Sequence, residues 1–187
     1  MAQSVPYIAC RISESLPDEV TTLDSNLQSG IKASQAELAG KLITDASCDL
    51  IDAFFGHAIK EMMDSTGHPG FREAHAVIED IKGKTRHYLG WVTSFFSNER
   101  LAPVVSHYRQ LLVRLPTAEG PRAHLVFGIS EGLARDARAS LEALRDPATT
   151  DIRAGIEILI RVIDEALEPL LFVPKARMKF NFVVDKT

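Results

Sequence analysis

Cysteine is scarce in this chain: Cys10 and Cys48 are the only two among 187 residues, with no Cys-x-x-Cys and no histidine at ligand spacing beside either. That scarcity excludes a disulfide framework and a zinc knuckle, and it fits a reducing compartment. Long apolar runs are missing as well. No window reaches the roughly 18 apolar residues that a membrane span needs, and the opening Met-Ala-Gln-Ser-Val-Pro-Tyr-Ile lacks the basic segment and apolar stretch of a secretory leader. The expectation is a cytoplasmic chain with no membrane association.

A basic stripe is the third absence. The formal net charge is −4, and the Lys and Arg residues are scattered along the chain rather than clustered as phosphate backbones require, so nucleic acid is not an expected partner. Complete catalytic, nucleotide and metal motifs are the fourth. Gly83-Lys84-Thr85 has the ending of a phosphate loop, but Ile78 stands where the first glycine belongs, and the tripeptide lies inside a helical pattern. His57-Ala-Ile-Lys60 has the His and Lys of a phosphotransfer helix, yet Glu61 follows where glycine is expected and the His is placed inward.

What the chain does have is apolar periodicity. With 45% hydrophobic and 25% charged residues it has an ordinary globular make-up. The spacing predicts an all-α fold: an antiparallel bundle of about five helices over 34–171, preceded by an irregular N-terminal arm (1–33) and followed by a short extended tail (172–187). The first helix is expected from Ser34, a cap paired with Glu37, to about Ser65, and Thr66-Gly67-His68-Pro69-Gly70 breaks it. A second helix is expected over about Phe71–Phe96, with Ala74, Val77, Ile78, Ile81, Tyr88, Leu89, Val92, Phe95 and Phe96 facing the core and Trp91 at the edge of the stripe, packed in the core or against a subunit, with cofactor stacking as the alternative. A third carries Leu101 to Leu115, and a fourth is expected from Pro121 or later, with Val126, Ile129 and Leu133 inward. His124–Ile129 also suits a short extended piece, because a brief apolar run does not decide between helix and strand.

The fifth helix, capped by Thr150 and running to about Leu171, is apolar nearly all round, which points to a central position or to cover by another subunit. In the tail, Met178, Phe180, Phe182 and Val184 alternate as in a strand, which would pair with the arm near Tyr7–Ile12, with a second copy or with another protein.

Candidate chemistry centres on a doubled His-x-x-x-Glu, His57 with Glu61 and His75 with Glu79. On a straight helix of about 100° per residue, His57 and Glu61 point with Leu50 into the core, whereas His75 and Glu79 point away from Ile81, so the four do not converge on one ion. The pair His57 and Glu61, with Tyr88 nearby, is the candidate ligand-binding site, and its metal or cofactor is unknown from sequence. Cys48 is expected on the shoulder of its helix, partly exposed and without a basic neighbour to activate it. The functional expectation is a non-enzymatic interaction or regulatory protein that forms a homo-oligomer through the fifth helix or the C-terminal tail, with a further protein partner possible. The alternative is a small-molecule or metal-binding bundle with its site at His57 and Glu61.

Overall fold

The computed structural model describes residues 5–144 and 153–177. It is mostly helical, but the expected all-α bundle of five helices is corrected in one respect: a small three-stranded sheet is present. The chain divides into two compact units, Cys10–Leu125 and Met1–Ala9 with Val126–Thr187.

In the first unit, α1 (Leu16–Gln28) and α2 (Ala36–Ile51) are followed by a π-turn (Asp52–Gly56), α3 (His57–Thr66), α4 (Pro69–Thr93) and α5 (Asn98–Leu111). So the arm is not irregular throughout. Leu16, Val20, Leu23 and Leu27 recur at three and four residues and bury one face of α1, which packs on Leu101, Val104 and Val105 of α5. Asp24 shares that buried face at 2% exposure, and Arg109 reaches in from solvent to bond it at 2.8 Å, as a long stem with a wet head can.

Helix α2 lies against α4, and the contact is close because Gly40 has no side chain: a Cβ there would collide with Thr93 Oγ1. The segment leading into α2 is pinned by one side chain. Asn98 Oδ1 accepts from the Gln35 amide, and its Nδ2 donates to the carbonyls of Ile31 and Ala33. Gln35, not Ser34, precedes the first turn; the Ser34 hydroxyl accepts from the Ala36 amide, and the expected Ser34–Glu37 capping box does not form. The break before α4 is as expected: Gly67 takes φ +63° to end α3, and the His68 ring accepts from the Gly70 amide to start α4.

The third expected helix stops early. Leu112–Thr117 is strand β2, paired antiparallel with β3 (Gly120–Gly128) from Leu112 opposite Leu125 to Thr117 opposite Gly120. Pro116 cannot donate within a helix, and Gly120, at φ +104°, turns the chain where an L side chain would be strained. In β3, Ala123, Leu125 and Phe127 are buried while their neighbours are not, a period of two that overrides the helical reading of this stretch. β1 (Tyr7–Arg11) borders β3 on its other side, giving the order β1-β3-β2, with Ile12 N bonded to the Ala123 carbonyl.

In the second unit, Ile129 N bonds to the Pro6 carbonyl, α6 (Glu131–Leu144) packs on α7 (Arg153–Leu167), and a second π-turn (Glu168–Phe172) leads into α8 (Val173–Arg177). Glu165 of α7 caps the start of α6 by accepting from both the Ser130 amide and hydroxyl, at 2.6 and 2.7 Å, and Arg161 bonds Asp136 at 2.8 Å. The Thr150 cap and the alternating tail from Met178 lie outside the described residues.

Candidate interaction surface

Helix α4 buries Ile78, Lys82 and Thr93 on the side that meets α2 and α3. The stripe that sequence periodicity places in the core is covered only in part: Ile78 and Phe96 are buried and Ala74 and Leu89 half-buried, but the other members are not. Val77, Ile81, Tyr88 and Val92 fall within an arc of about 60°, centred about 100° from the buried residues at 100° per residue. They are solvent-exposed at 57%, 43%, 61% and 36%, and Trp91 and Phe95 extend the same strip at 60% and 65%. The expected inward face of the second helix is thus corrected: α4 has an apolar arc wider than its neighbours cover. Trp91 and Phe95 stack edge to face with centroids 5.0 Å apart, which holds two large rings together on the open surface.

The spacing of this strip carries structural information. Ala74, Val77, Ile81, Lys84, Tyr88, Trp91 and Phe95 follow one another at alternating intervals of three and four, the seam of a coiled coil over three heptads, with Phe95 just beyond the last helical turn. Its one charged member, Lys84, is exposed and bonds Asp80 one turn earlier at 2.7 Å. Each exposed aromatic contributes roughly 100–150 Å² of a side chain that would bury 150–250 Å², so the strip amounts to about 500 Å². The largest apolar patch of a typical monomer is about 300–600 Å² and is often functional.

His57 and Glu61 are placed differently from expectation. Both are exposed, as is Tyr88 on the strip. The cause is the π-turn at Asp52–Gly56, which takes one extra residue into the helix and so rotates every later side chain by about 100° relative to a straight α-helix. None of His57, Glu61 and Tyr88 lines the 520 Å³ cleft beside Asn98 or the 570 Å³ cleft beneath α6 and α7. Glu79 is engaged by Lys82, and His75 is half-buried. Among the described residues no group of three or more His, Cys, Asp or Glu side chains is placed to hold a metal ion.

Cys48 is buried, not partly exposed, and Cys10 is buried too; burial pushes both thiols up, Cys10 to about 11, so neither is set up as a nucleophile. No helix of the described residues is long and apolar enough to cross a membrane. The chain matches no family model, no curated protein and no solved structure. The signal for the exposed strip was present in the sequence as a clean heptad seam; what the sequence lacked was any sign of which arc of α4 the rest of the protein covers.

Proposed function

We propose that this protein is a non-enzymatic interaction or regulatory protein that self-associates through the apolar strip of α4. The observation that carries the reading is the exposure of six large apolar side chains, Val77, Ile81, Tyr88, Trp91 and Val92 on one face of α4 and Phe95 just beyond its end. Leaving such a face in water costs about 25 cal/mol per Å², and covering it with a second apolar face recovers that free energy. Aromatic residues at its centre are the side chains that dominate association energetics. A further protein partner would use the same face in competition with the second copy.

Trp91 is the only tryptophan of the chain and sits in the strip, so its fluorescence reports on the surface directly. On going from nanomolar to high micromolar protein, its emission is expected to shift to the blue and lose its quenching by iodide. Ile81→Asp, which places a charge in the strip, is expected to hold the red, quenchable emission throughout. Emission that stays red and fully quenchable at every concentration in the wild type would refute self-association through this face.

A further inference from the structure

The heptad seam has one polar member, and its position selects an orientation. We propose that two copies pair through α4 in antiparallel fashion, about a two-fold axis crossing the helix level with Arg86. This inference rests on the self-association reading above and specifies the partner surface.

In a parallel pair every seam residue faces its own copy. Lys84 would then meet a second Lys84 in the centre of an apolar interface, where two ammonium groups repel and lose water together. In an antiparallel pair centred level with Arg86, Lys84 instead faces Tyr88 of the second copy, and Tyr88 faces its Lys84. An ammonium over a tyrosine ring is an attractive contact. The salt bridge to Asp80 on its own helix, 2.7 Å long, stays on the flank and neutralises the cation.

The same register matches the rest of the strip. Val77 faces Phe95 of the second copy, Ile81 faces Trp91, and the two reciprocal contacts follow by symmetry, so every exposed seam residue from Val77 to Phe95 is covered. Each of these layers sets a large ring against a smaller aliphatic side chain. A parallel pair would set Trp91 against Trp91 and Val77 against Val77, wide at one end and narrow at the other. Alternating large and small residues across facing positions is what lets two helix surfaces interdigitate. The strip supplies roughly 500 Å² of apolar centre, of the order needed for a standard interface of about 800 Å² per partner once a polar rim is added.

Cysteine cross-linking of the full chain separates the orientations. In the antiparallel pair, residues 81 of the two copies are offset by about 15 Å along the axis, from 1.5 Å per residue, beyond the 7 Å that a disulfide spans between Cα atoms. Ile81→Cys alone and Trp91→Cys alone are therefore expected to stay uncrosslinked under mild oxidation, while an equimolar mixture gives the 81-to-91 linked dimer. Self-linking of either variant alone would overturn the antiparallel arrangement while leaving self-association intact. A wild-type chain that is monomeric in native mass spectrometry at high micromolar concentration would overturn both.

A second measurement leaves the seam untouched. Spin labels at Ala76→Cys and at Arg86→Cys, both on the exposed side away from the strip, are expected to give a 76-to-76 distance longer than the 86-to-86 distance, because the axial offset is about 30 Å at 76 and near zero at 86. Equal distances, or distances too long to measure at both sites, would refute the pairing even where no cross-link forms.

Discussion

Lys82 and Asp52 are joined by two hydrogen bonds, 3.0 Å to Oδ1 and 2.8 Å to Oδ2, and a third at 2.9 Å ties Lys82 to Glu79. Lys82 is buried on α4, and Asp52 opens the π-turn between α2 and α3. Burial by itself pushes the ammonium down, but the bonds to Asp52 and Glu79 outweigh it and hold the group above its ordinary value. The bridge fastens the irregular turn to the longest helix of the fold. Room for it comes from Gly56, where a Cβ would run into Asp52 Oδ1.

The first prediction concerns that triad. Lys82→Met keeps the apolar stem and removes the charge, and is expected to cost about 1–2 kcal/mol, the partial exposure of Asp52 limiting the loss. Gly56→Ala is expected to destabilise despite the better helix propensity of alanine, because it displaces the Asp52 carboxylate. Urea denaturation of Gly56→Ala, Asp52→Ala and the double variant would measure the coupling. The double variant should be more stable than the sum of the single losses implies. Strict additivity would show that Gly56 is not there to admit Asp52.

The second prediction tests the α2–α4 contact. Gly40→Ala puts a methyl group on Thr93 Oγ1, and since that hydroxyl is also bonded to the Leu89 carbonyl at 2.7 Å, it cannot swing away without loss. A cost of about 1–3 kcal/mol is expected, typical of overpacking a close contact. Thr93→Ala in the same chain should restore part of it by removing the obstructing oxygen. Thermal midpoints of the four variants decide the point, and an unchanged midpoint for Gly40→Ala would mean that the helices separate freely.

The third prediction is alkaline. Burial raises the Cys10 thiol from 9.0 to about 11 and the Tyr108 phenol from 10.0 to about 12. Both groups keep their protons in the folded chain at pH values where the unfolded chain releases them, so their contribution is fully present below about pH 9 and is lost as pH rises from 9 to 12. The Cys10 share is on the order of 3 kcal/mol, because each tenfold difference in proton affinity between the folded and unfolded chain corresponds to about 1.4 kcal/mol and the thiol is raised by about two such steps. Urea midpoints are expected to be level from pH 7 to 8.5 and to fall above pH 9, and Cys10→Ala should flatten the fall between pH 9 and 11. An identical fall in that variant would assign the alkaline sensitivity elsewhere.

Periodicity and punctuation, which act locally, determined much of this protein from the sequence alone. The break at Gly67-His68-Pro69, the long helix after it and the heptad spacing of Val77, Ile81, Tyr88, Trp91 and Phe95 are all legible, because glycine conformation, proline chemistry and a 3.6-residue repeat do not depend on distant residues. The alternation of Ala123, Leu125 and Phe127 was legible as well, though masked by Val126, Ile129 and Leu133 at helical spacing. Tertiary structure alone decided which arc of an amphipathic helix is covered. Apolar residues occupy nearly half the circumference of α4, and only the docking of α2 through Gly40 against Thr93 fixed Ile78 and Lys82 inside and Ile81 and Trp91 outside. It likewise decided that His57 and Glu61 face water: the extra residue of the π-turn is held by the Lys82–Asp52 bridge, a contact between residues 30 positions apart that no local pattern records.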